Sequence, residues 1–129
     1  MKITADEVFD KAVSYMGLKG SDGDPMPAAE IYAASSIDAT NAAIVYSGEV
    51  NMKLSGKPII PTVVSQATDK IEVCEMVAET ILPLKAAVII SARYDTELSM
   101  YLDKMCESFR SELMRCHKAY SHPISEEYR

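Results

Sequence analysis

An all-α fold, a bundle of about four helices, follows from three features of this 129-residue sequence. Leu98, Tyr101/Leu102, Met105, Phe109, Leu113 and Cys116 recur at i, i+3/i+4 and i+7, with Asp103, Lys104, Glu107, Arg110, Ser111 and Glu112 between them. That is the apolar stripe of an amphipathic helix. Thr4-Ala5-Asp6-Glu7 has the form of a capping box, in which a Thr oxygen serves a free amide and the Glu three residues on reaches back. Leu84, Ala87, Val88, Ile90 and Ala92 are apolar on most sides of a helix, the mark of a buried central element. Between helices two and three the pattern predicts a Pro-rich extended arm or small strand pair at about 54–73. A flexible C-terminal tail is expected after the last helix. The chain therefore divides into a helical domain, 1–116, and a tail, 117–129.

Helix one runs over about 5–16: Val8, Phe9, Ala12, Val13 and Met16 keep helical spacing, and Gly17 stands where a left-handed cap ends it. Gly20, Gly23, Pro25 and Pro27 make residues 18–27 a loop. Asp22 and Asp24 flank Gly23, but a calcium loop needs more oxygen ligands and a closing Glu, so no metal site is expected. Helix two spans about 28–53 without a proline, with Gly48 as the position where it would bend or split. The segment SGKPIIPTVV then reads as extended, and Ile71-Glu72-Val73 as a short strand. Ile59 and Ile60, each beside a proline, are expected on an exposed apolar arm that contacts a partner; the alternative is an arm folded back on its own bundle. Pro83 is compatible with a first turn. Helix three thus either starts near Leu82 or follows a short helix at 75–81. Asp95 is a suitable N-cap for helix four, about 96–116. In the tail HKAYSHPISEEYR, Tyr120, Ile124 and Tyr128 recur every four residues.

Composition narrows the function. Hydrophobic residues make up 48% and charged residues 25%, ordinary for a globular domain. Nineteen acidic against thirteen basic residues give a net charge of −6, and Lys and Arg form no run. Sequence-independent nucleic-acid binding needs a basic footprint, so direct DNA binding is disfavoured. Three cysteines (Cys74, Cys106, Cys116) fit neither a disulfide framework nor a metal spacing. The opening MKITADEVFDK turns acidic before any apolar run, so no secretory leader is expected. Ile81–Ile90 is interrupted by Lys85 and far short of the roughly 20 residues of a membrane span.

Chemistry is sparse. No Glu has a His three residues later, as a di-iron bundle requires. Cys116 and His117 are adjacent and cannot face one helical site. Phosphate loops, nucleophile elbows and Cys-x-x-Cys pairs do not occur. Arg93 with Asp95 or a nearby Glu reads as a structural ion pair. Neither an enzyme nor a cofactor is expected.

Together the layout resembles a known family. A short helix ending in MGLKG, a long second helix containing Asn41, and a Pro-rich arm come first. An Ile-Glu-Val segment, LPLKAAVIISARYD and a last long helix with Tyr101 follow. This is similar to the small helical head–tail connector (adaptor) proteins of tailed bacteriophages, over residues 5–116. The resemblance implies a virion protein, made in the bacterial host cytoplasm and placed at the head–tail junction. Its copies dock on the portal protein, form a homo-oligomeric ring that extends the DNA exit channel, and complete a platform for tail or stopper proteins. It implies that the C-terminal segment reaches into the portal, with Tyr120, Ile124 and Tyr128 as anchors. The arm, with Ile59 and Ile60, contacts a neighbouring subunit or the next tail component. No sequence-specific nucleic-acid contact and no membrane are implied. The alternative is a small helical DNA-packaging or regulatory module of phage or bacterial origin.

Overall fold

A computed structural model describes residues 1–20 and 30–121, with backbone alone from 116 onward. The fold is a helical bundle with a small two-stranded sheet. In chain order the elements are β1 (Lys2–Thr4), α1 (Ala5–Tyr15), α2 (Glu30–Ala33), α3 (Ser36–Ser55), β2 (Lys70–Glu72), α4 (Glu75–Glu79), α5 (Ile81–Ser91) and α6 (Thr96–Ser121).

The capping box forms as the sequence predicts. The Glu7 amide donates to Thr4 Oγ1 at 3.1 Å and the Thr4 amide donates to Glu7 Oε1 at 2.8 Å. Helix α1 ends at Gly17, whose φ of 76° is open to glycine at little cost. The Leu18 amide returns to the Val13 carbonyl across this end.

Helix two is broken, and the break lies at Ala34-Ser35 rather than at Gly48. Ser35 Oγ donates to the Tyr32 carbonyl and Ser36 Oγ to the Ala33 carbonyl, so two serines take backbone acceptors at the break. Gly48 sits inside an unbroken α3. The short-helix alternative describes the next region: α4 precedes α5, and Pro83 occupies the first turn of α5. Helix α6 runs five residues beyond the expected end, into the segment read as tail. Nothing from His117 to Ser121 is Gly or Pro, so no residue there opposes the helix.

The strand pair has a partner that the sequence pattern does not reveal. β2 pairs antiparallel with β1, three residues ahead of the first helix, placing Ile3 opposite Ile71. Ile60 adds an isolated bridge to Glu72. Ile3 and Ile71 are both buried. In a strand of three residues only the middle side chain turns inward, which leaves no alternation to read.

Helix α5 is the centre. Helices α1, α3 and α6 all pack on it, and Ile81, Leu82, Leu84, Ala86, Ala87 and Ile90 are buried. Small residues on α3 (Ala39, Ala43, Ser47) bring its backbone close to the bundle. No helix among the described residues is long and apolar enough to cross a membrane. Leu84→Ala is expected to cost about 2–5 kcal/mol, because the removed side chain is wholly enclosed. The urea midpoint checks it: an unchanged midpoint contradicts a tightly packed α5.

Candidate functional site

The segment 56–69 lies along α3 and is fastened by two asparagines of that helix. The Val64 amide donates to Asn41 Oδ1 at 2.7 Å, and Asn41 Nδ2 donates to the Val64 carbonyl at 3.0 Å. One carboxamide thus replaces the strand neighbour that Val64 lacks. Asn51, 1% exposed, works at both ends of the excursion. Its Nδ2 donates to the Lys57 carbonyl at 2.8 Å, and its Oδ1 accepts from the Cys74 amide at 2.7 Å. Buried amides and carbonyls that lack a sheet partner need such substitutes.

The rest of the arm is tied to the start of α1. The Ala5 amide donates to the Asp69 carbonyl and the Asp6 amide to the Ala67 carbonyl, which serves the free donors of a helix start. Asp69 closes the turn from inside. Its Oδ2 accepts from the Ser65 amide at 2.7 Å and the Gln66 amide at 3.2 Å. Those amide bonds hold its carboxyl below the usual carboxylate range.

This fastening sorts the arm's apolar residues. Ile59 is 3% exposed and Val64 1%, so both belong to the core. The expectation that Ile59 is a surface contact is therefore corrected: the arm folds back over its own bundle at that residue. Ile60 stays 56% exposed and Val63 66%. Next to them α3 turns Val45 and Met52 outward, and an open cleft lies between helix and arm. Ile44, Val45, Gly48, Met52, Pro58, Ile59 and Thr62 line it, with a volume of about 200 Å³. Of the other residues expected to bind partners, Tyr120 falls in the last turns of α6, while Ile124 and Tyr128 lie outside the described residues. So do Asp22 and Asp24.

The richest group of titratable side chains joins α3, α5 and α6. The Tyr46 hydroxyl donates to Glu107 Oε2. Lys85 Nζ stands 4.4 Å from the Tyr46 ring centre and 3.4 Å from Asp103 Oδ1. Arg110 pairs with Glu49. Burial, and then the bond to Glu107, push the Tyr46 phenol well above its ordinary range. Burial also pushes the Cys106 thiol up. A phenol and a thiol held in their neutral forms are poor bases and poor nucleophiles. Each cation here stands beside a carboxylate, as in a brace between helices. Among the described residues no group of three His, Cys, Asp or Glu could hold a metal ion. The ion pair expected for Arg93 is not among the salt bridges of the described residues. Asp95 instead caps α6, its Oδ1 accepting from the Leu98 amide at 3.1 Å.

The arm and the outer side of α3 together expose Val45, Met52, Ile60 and Val63. They present apolar surface on a backbone that is already ordered, which suits binding another protein. Sequence reasoning missed the two asparagines as fasteners; the available signal was a polar amide placed twice along a largely apolar helix. Comparison of the chain with protein-family models, with curated proteins and with solved structures finds no match.

Two outcomes are expected. Asn51→Ala leaves the Cys74 amide and the Lys57 carbonyl without their partner. It should lower stability by about 1–3 kcal/mol, and Asn41→Ala by a similar or smaller amount, read from urea midpoints. The second concerns alkaline pH. A phenol whose folded pKa is raised stabilises the fold fully below the unfolded value of 10.0, and that contribution is lost as pH rises above it. Stability should begin to fall above pH 9.0, where the raised Cys106 thiol loses its share, and above 10.0 it should fall less steeply in Tyr46→Phe than in the wild type. Equal steepness in both proteins contradicts the brace.

Proposed function

We propose that this chain is a non-catalytic structural protein of a phage or prophage virion, a head–tail adaptor. In this reading it forms a ring between portal and tail and extends the DNA exit channel. The observation that carries it is that Val45 and Met52 of α3 and Ile60 and Val63 of the arm are all exposed on a backbone that Asn41 and Asn51 fasten before any partner arrives. A binding surface ordered in advance avoids the entropy of folding on contact. The layout of helices and arm adds the family resemblance. The acidic balance of the chain suits a channel that passes DNA without gripping it.

Roles follow from position. Ile60 is assigned to a neighbouring subunit or the next tail component, and Ile59 is withdrawn from that role by its burial. The C-terminal residues Tyr120, Ile124 and Tyr128 are assigned to the portal. Few anchors carry most of the energy in such contacts, so removing residues 117–129 should abolish portal binding while leaving the core intact.

The experiment mixes the purified chain with portal rings expressed from the same genome and reads co-sedimentation and ring diameter by negative-stain microscopy. An added ring that is lost with residues 117–129 supports the reading. No binding to the portal, or binding to DNA that weakens steeply with salt, overturns it, the latter in favour of a DNA-packaging or regulatory module.

A further inference from the structure

Helices α3 and α6 run side by side in the same direction, since Tyr46 meets Glu107 and Glu49, three residues on, meets Arg110. Where α3 nears its end, an open groove of about 430 Å³ lies along this seam, lined by Lys53, Arg110, Ser111, Met114 and Arg115. Three of these five residues are cations and none is a carboxylate, in a chain whose net charge is −6. Arg110 is engaged by Glu49. Lys53 is exposed and makes no salt bridge among the described residues. Arg115 meets Glu112, one turn away on the same helix, with both side chains more than half exposed, and a pair of that kind contributes little. Lys53 and Arg115 thus offer charge to an acidic segment, while Met114 and the stems of the long cations offer it apolar surface.

The chain itself supplies such a segment within reach. Helix α6 is described to Ser121, and residues 122–129, HPISEEYR, follow it. Proline does not continue a helix and disfavours helical backbone in the residue before it, so Pro123 opposes an extension of the α6 axis. Along that axis Arg115 lies about 9 Å and Ser111 about 15 Å back from Ser121. Eight extended residues reach about 26 Å, enough to return over the whole groove. The spacing of charge suits the return. Glu126 and Glu127 stand three and four residues past Pro123, a reach of about 10–13 Å, which is the distance back to Arg115 and to the Lys53 side chain beside it.

We propose that residues 122–129 bind back into this groove, with Glu126 and Glu127 against Lys53 and Arg115, so that the chain covers its own basic seam. A tethered segment meets its site at an effective concentration in the millimolar range, so a contact too weak to form between separate molecules is filled within one. The consequence is an autoinhibitory contact: Ile124 and Tyr128, assigned above to the portal, are held on the bundle until a competitor draws the segment out. The contact stands on the groove and the tail alone; only the identity of the competitor rests on the adaptor reading.

The test uses the full chain and reads backbone amide order parameters by NMR relaxation. Residues 124–128 of the wild type should approach the value of about 0.85 that marks rigid backbone. Charge reversal in the groove, Lys53→Glu with Arg115→Glu, should bring them below about 0.6. Both positions are exposed, so the core is spared. Reversal in the tail, Glu126→Lys with Glu127→Lys, should do the same, and the two reversals combined should restore order. Wild-type values already below about 0.6, no change on reversing either side, or no recovery in the combined variant overturns the proposal. Portal rings are then added. With the segment held closed about ten to one, freeing it by groove reversal should raise portal affinity about tenfold. Equal portal affinity with and without the groove reversal overturns the autoinhibition. An ordered wild-type tail with no portal binding by any variant keeps the contact and removes the adaptor role.

Discussion

The carboxamide of Asn51 holds both ends of the arm, accepting from the Cys74 amide and donating to the Lys57 carbonyl. Sixteen residues lie between those ends, and Asn41 grips the segment near its middle through both polar atoms of Val64. Ten residues along α3 place the two asparagines about 15 Å apart. The arm is therefore pinned at three points to one rigid rod. Without these bonds the excursion would bury amides and carbonyls that have no partner, a state that folded proteins avoid. With them, Ile59 and Val64 enter the core, Ile60 and Val63 face outward, and the cleft beside Gly48 takes its shape.

A second constraint keeps that rod in place. Helix α5 is apolar on nearly every side and must be covered from several directions. Helix α3 supplies one cover and α6 another, and the polar brace of Tyr46, Lys85, Asp103, Glu107, Glu49 and Arg110 ties these two covers together. Exposed ion pairs alone contribute little. Here Lys85 also lies over an aromatic ring, and Tyr46 gains a charged acceptor, which gives the brace direction as well as energy. The outer flank of α3 is thus presented by a helix that is fixed on its inner side, and the outer flank of α6 likewise.

What the sequence could reveal follows the range of each interaction. The capping box of Thr4 and Glu7, the glycine end of α1, the Asp95 cap and the apolar stripe of α6 depend on neighbours within a few residues, and each reads correctly, save that Tyr101, counted with the stripe, is 62% exposed. Pro83 defines a first turn for the same reason. The arm does not read this way. Ile59 and Ile60 look alike between their prolines, and only the pinning by residues on another element turns one inward and the other out. β1 has three residues and one buried side chain, too few for a pattern. The break at Ala34-Ser35 arises from serine hydroxyls competing for local carbonyls, whereas Gly48, the more obvious breaker, is held within α3 by the helix around it. On α6 the apolar stripe ends before the helix does, since helix formation past Cys116 needs only residues that do not oppose it. The candidate site inherits the blindness of the arm: its apolar residues are visible in the sequence, but their sides are not.

Hydrogen exchange at two backbone amides tests this most directly. Val64 and Cys74 belong to no helix or strand, yet their amides are bonded to Asn41 and Asn51 inside the protein. Both should exchange as slowly as the amides of α3 and α5, opening only with the bundle as a whole. Exchange at the rate of an open loop, with α3 and α5 still protected, would show an arm that is not fastened, and the docking face proposed on it would fall with it.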